Sequence, residues 1–81
     1  MEYEVIKTKR DLTGKTLEDF IGVIDDFGTI GMLFVHDSND NTSHVHERND
    51  CPEYWLLERT VLSYEIRRKK RRKSIIVDVY I

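Results

Sequence analysis

The chain has 81 residues, 35% of them charged and 40% apolar, with a net charge of −2 and a single cysteine. That describes one small domain with a thin core. It excludes an intramolecular disulfide framework, and a net negative charge argues against a protein that coats duplex DNA over its whole surface. No apolar run approaches the ~18–20 residues that cross a bilayer, and no secretory leader pattern is seen. A soluble cytoplasmic protein with a reduced Cys51 is expected. Ala and Gln do not occur at all, a bias met in short, AT-rich reading frames of viruses and mobile elements.

Taken in chain order, residues 3–8 alternate weakly and are rich in β-formers, which predicts a first strand. Residues 11–15, with Gly14, read as a turn. Leu17, Phe20, Ile21, Ile24 and Phe27 then recur at helical spacing and predict an amphipathic helix. Thr16 is its expected N-cap and Gly28 its expected left-handed terminus, with Glu18 and Asp19 placed against the positive end of the dipole. Residues 29–36 form a short apolar run that reads as a buried central strand. Residues 37–49 are polar, without periodicity, and read as a loop. Residues 51–59 fit either a short helix, with Asp50 and Glu53 as a capping box and Pro52 in the first turn, or a strand, followed by a break near Thr60.

The C-terminal part carries the clearest pattern. Leu62, Tyr64 and Ile66, then Ile75, Val77, Val79 and Ile81, alternate with mostly polar residues on either side of seven consecutive cations. This predicts a β-hairpin with a basic tip. Pairing Ile66 with Ile75, Tyr64 with Val77 and Leu62 with Val79 makes one face wholly apolar. The apex then falls at Lys70-Arg71, and lacking Gly, Asn or Asp it is expected to be a four-residue loop, 69–72, around a type I turn. The expected fold is α+β over residues 1–81 as a single domain: one helix packed on an antiparallel-rich sheet that ends in this hairpin.

Charge is distributed unevenly. Residues 1–66 hold 6 Lys and Arg against 14 Asp and Glu, whereas residues 67–81 hold 7 against 1. Arg67, Arg68, Lys69, Lys70, Arg71, Arg72 and Lys73 repel one another, and an anionic partner relieves that repulsion. A projecting basic ribbon suits phosphates, so nucleic acid or a nucleoprotein is the expected partner, with an acidic protein surface as the other choice. Tyr64 and Tyr80 are too far down the strands for a base to stack near the tip.

His36, His44, His46 and Cys51 are the metal-like residues, but their spacing departs from zinc patterns and neither a metal nor a cofactor is expected. Asp37, Asn39 and Asn41 resemble the start of a calcium loop, with Thr42 where the glycine belongs and Arg48 where the closing glutamate belongs. No nucleophile motif and no phosphate loop occurs, so no enzyme activity is expected. Tyr54 and Trp55 read first as core fillers and otherwise as an interaction pair. Ile76 and Tyr80, on the second face of the hairpin together with Val61, read as a second core layer or a dimer surface. The C-terminal strand is expected at a sheet edge, where its free backbone groups would pair in a homodimer. The leading functional expectation is a non-enzymatic binding protein. The alternative is a small inhibitor or adaptor, of anti-CRISPR or anti-restriction type, that docks on a host or defence enzyme.

Overall fold

Thr16 opens the helix as its residue type requires: the Oγ1 accepts the Asp19 N–H at 3.2 Å, and Glu18 and Asp19 occupy the first turn. The computed structural model describes residues 2–47 and 50–81. Their elements run β1 (Tyr3–Ile6), α1 (Leu17–Asp25), β2 (Ile30–Asp37), β3 (Thr42–Glu47), α2 (Tyr54–Leu57), β4 (Ser63–Lys69) and β5 (Ile75–Tyr80). The five strands make one sheet in the order β1-β4-β5-β2-β3. All neighbours are antiparallel except β2 and β5, which run parallel. The molecule is one α+β domain.

Both helices lie on the same side of the sheet. Leu17, Phe20 and Ile24 of α1 and Leu56 of α2 join Leu33, Val35, Ile66, Ile75, Val77 and Val79 in a continuous buried core, closed by Leu12, Val61 and Ile81. The Phe20 and Tyr64 rings meet at 5.1 Å between centroids, and the Tyr64 hydroxyl accepts the Leu12 N–H at 3.1 Å. Tyr64 is therefore half-buried against the core, with a satisfied hydroxyl.

Several expectations change here, each for a physical reason. The helix ends at Asp25 with Asp26 as its cap, so Phe27 is exposed and Gly28 has no left-handed backbone. Gly28 serves close approach instead: a Cβ there would stand 3.2 Å from the Lys73 carbonyl oxygen. The loop expected over residues 37–49 contains β3, an edge strand hydrogen-bonded on one side only. Its sequence alternates poorly because both its faces are largely exposed. Residues 48 and 49 lie outside the described residues, Arg48 of the calcium pattern among them.

Residues 54–57 form a single helical turn capped by Glu53 without a side-chain hydrogen bond, so the Asp50–Glu53 capping box does not form. Tyr54 and Trp55 are 75% and 45% exposed, and Leu56 alone of that turn is fully buried. Core filling by the aromatic pair is thereby overturned. Val61 turns into the main core and not onto the second face of the hairpin.

The hairpin forms, but two residues out of the expected register. Ile66 lies opposite Val77, Tyr64 opposite Val79 and Arg68 opposite Ile75. Nor is β5 an edge strand: β4 and β2 occupy its two sides, leaving no free backbone for pairing with a second chain. The free edges belong to β1 and β3.

Candidate functional site

The seven cations divide between strand and turn. Arg67, Arg68 and Lys69 belong to β4, with Lys70 and Arg71 at the bend and Arg72 and Lys73 on the way back to β5. The turn is closed by the Arg72 N–H donating to the Lys69 carbonyl at 3.1 Å. Arg71 sits at φ 70°, in the left-handed region, so the type I geometry expected from the sequence is not adopted. Only glycine holds that conformation without strain, and Asn with little.

Three of the cations meet carboxylates of their own chain. The Arg67 guanidinium binds Asp78 and stands 3.7 Å from Glu65. Arg68 reaches Glu4 at 3.5 Å, and Lys70 reaches Glu2 at 3.3 Å. Glu2 and Glu4 come with β1, which pairs along β4 so that Glu4 faces Arg68 and Tyr3 faces Lys69. Lys69, Arg71, Arg72 and Lys73 make no ion pair among the described residues. These four form the uncompensated positive patch, at the end of the sheet where α1 also terminates and where Lys73 passes Gly28. Tyr3, which sequence reasoning missed, lies beside this patch. Its ring stands 5.8 Å below the Arg67 guanidinium carbon, a cation–π contact. The only sequence signal for it was a weakly alternating first strand.

The metal-like residues do not converge. His44 and His46 share the helix-facing side of β3, as alternation requires. His36 points to the other side of the sheet, where its Nδ1 hydrogen-bonds Ser43 at 2.9 Å and its Nε2 bonds Asp78 at 2.9 Å. Its ring stacks on Tyr80 at 4.5 Å. Among the described residues no group of three His, Cys, Asp or Glu side chains is placed to hold a metal ion. His44 instead meets Trp55 edge-on at 6.0 Å, and Trp55 Nε1–H donates to Glu53. Cys51 is exposed at the lip of a cleft of about 470 Å³ between α1 and β3, floored by Ile21, Ile30, Leu33 and Leu57. His46 Nε2 is buried beside it without a hydrogen-bond partner among the described residues.

The four residues expected to make protein contacts fall on two surfaces. Tyr54 and Trp55 lie on the helix side, near β3. Ile76 and Tyr80 lie on the opposite side of the sheet, which carries no helix among the described residues. With them there are Met32 and Phe34 of β2, Val45 of β3 and Tyr3 and Val5 of β1. Tyr3, Val5, Val45 and Tyr80 are 43–54% exposed. In the middle of this open face the Arg67–Asp78–His36 chain of contacts neutralises its own charges. Among the described residues no helix is long and apolar enough to cross a membrane. Comparison with known proteins gives no match to any protein family, curated protein or solved structure.

Proposed function

We propose that this chain is a non-enzymatic binding protein of the cytoplasm whose basic turn engages nucleic acid, or a nucleoprotein, through Lys69, Arg71, Arg72 and Lys73. One observation carries the reading: Arg71 occupies a left-handed turn position that favours glycine, within a patch of four cations that have no carboxylate partner among the described residues. A turn selected for stability alone would carry Gly or Asn there. Backbone strain combined with uncompensated charge is what a phosphate-contacting element accepts. Arg67, Arg68 and Lys70 hold the ribbon through their own carboxylates and contribute less to the contact. The acidic remainder of the chain repels phosphate, so the footprint is confined to the turn.

Fluorescence anisotropy with labelled single-stranded DNA, duplex DNA and RNA tests this between about 50 and 200 mM salt. Four phosphate contacts predict a slope of log K against log salt of about −3 on single strands and −4 on duplex. Replacing Lys69, Arg71, Arg72 and Lys73 with Ser removes binding. Replacing Arg68 and Lys70 with Ser leaves most of the slope. Absence of binding at the lowest salt overturns the reading.

A second reading is an inhibitor or adaptor docking on another protein. What supports it is the exposure of Tyr54 and Trp55 on one helical turn, since large aromatics at a surface are the usual anchors of protein contacts. Under this reading naked nucleic acid is not bound, and Tyr54→Ala with Trp55→Ala abolishes co-purification with a protein partner.

A further inference from the structure

The helix side of the sheet is sealed by a core of thirteen fully buried apolar residues, while the other side displays Val5, Ile76, Met32, Phe34 and Val45 across all its strands but β4. Adjacent registers place Val5, Arg67, Ile76, Met32 and Glu47 in one row across the sheet. The next row holds Glu65, Asp78, Phe34 and Val45. The charges at the centre pair with one another: Arg67 lies between Asp78 and Glu65, and Asp78 also holds His36, while Glu47 and Lys69 stand at the margins without an ion pair among the described residues.

We infer that this open face is a dimer interface, and that its occupant is a second copy of the chain packed sheet to sheet. Charge decides between occupants. Glu47, Glu65 and Asp78 against Arg67 and Lys69 leave the face without the positive excess that a phosphate backbone needs, which removes nucleic acid. A central cluster whose guanidinium and carboxylates already pair with one another, with Arg67 Nε alone left without a hydrogen bond among the described residues, asks for no oppositely charged protein. An apolar field with neutralised charges is self-complementary, as a two-fold interface must be. Size agrees as well. Five strands about 4.8 Å apart and roughly six residues long, at about 3.3 Å each, give a flat footprint of about 480 Å². Protruding side chains raise that toward the about 800 Å² per partner of a standard stable interface. Two such faces pack about 10 Å apart with strands nearly aligned, giving a four-layer helix–sheet–sheet–helix dimer. A second copy also gives a thin-cored small domain the extra burial that its size withholds. The inference does not depend on what the basic turn binds.

Sedimentation equilibrium of the full chain from about 1 to 200 μM is the test, with Val5→Glu and Val45→Glu as variants. Both positions are more than half exposed and lie in opposite edge strands, so either substitution leaves the folded chain intact, checked by circular dichroism. The expected result is a wild-type mass of twice the 9.7 kDa chain and, in each variant, a dissociation constant raised about a hundredfold or more, because a charge is buried twice per dimer. Wild type that stays at one chain mass throughout the range overturns the inference. So does a dimer that both folded variants leave unchanged, since association would then use another surface.

Discussion

Asp37 shows how a single carboxylate can hold a fold together. It ends β2 with its side chain almost wholly buried, and Arg59 grips it with two nitrogens at 3.2 and 3.3 Å while the Asn39 N–H donates at 2.9 Å. Burial pushes its pKa up, but the Asn39 N–H, the Arg59 guanidinium and the Asp40 N–H outweigh that and hold it below the ordinary value of 3.8. A carboxyl lowered in this way stabilises the fold fully above the unfolded value, and the contribution is lost as pH falls through the lowered folded value. Thermal melts from neutral pH to below pH 4 are therefore expected to fall more steeply for the wild type than for Asp37→Asn, which starts less stable. Parallel curves for the two would remove Asp37 from the acid transition. The calcium resemblance of Asp37 and Asn39 arises from this same arrangement: Asp37 accepts the Asn39 N–H two residues on, and Asn41 takes a left-handed backbone at φ 54° to close the loop.

Among the elements, the ones legible in the sequence were those whose signals are local. Thr16 and the Leu17–Phe20–Ile24 stripe specify α1 within nine residues. The hairpin's buried face was legible because Ile66, Val77 and Val79 alternate with polar neighbours, yet its register was not. A shift of two residues returns every side chain to the same face, so alternation cannot distinguish the two pairings. β3 escaped because an edge strand with Val45 as its one apolar residue has little to alternate. The basic run was legible, but not which of its cations are free, because Glu2 and Glu4 are supplied by the far end of the chain. At the turn the structure makes a pair of opposed predictions. Arg71→Gly removes the left-handed strain and raises stability by about 0.5–1 kcal/mol in urea denaturation, while anisotropy shows weaker nucleic-acid binding. A variant that loses stability would contradict the reading of Arg71 as a residue kept for its charge.

At the scale of the whole molecule, pairings between distant segments decide the fold, and a single sequence does not display them. The parallel contact of β2 with β5 joins residues 44 or 45 positions apart, and the contact of β1 with β4 joins Tyr3 to Lys69. The resulting order places the strand nearest the C-terminus at the centre of the sheet. Without β5, the pairs β1–β4 and β2–β3 share no backbone hydrogen bonds and neither forms a sheet of more than two strands, too few to persist in water. Formation of the sheet is therefore all or none. Native-state hydrogen exchange is expected to show the β5 amides opening only with complete unfolding, while the outer edge of β3 opens at far lower free energy. Because so many of its contacts span most of the chain, the domain is also expected to fold slowly for its size, on the millisecond-to-second scale of proteins built from non-local pairings.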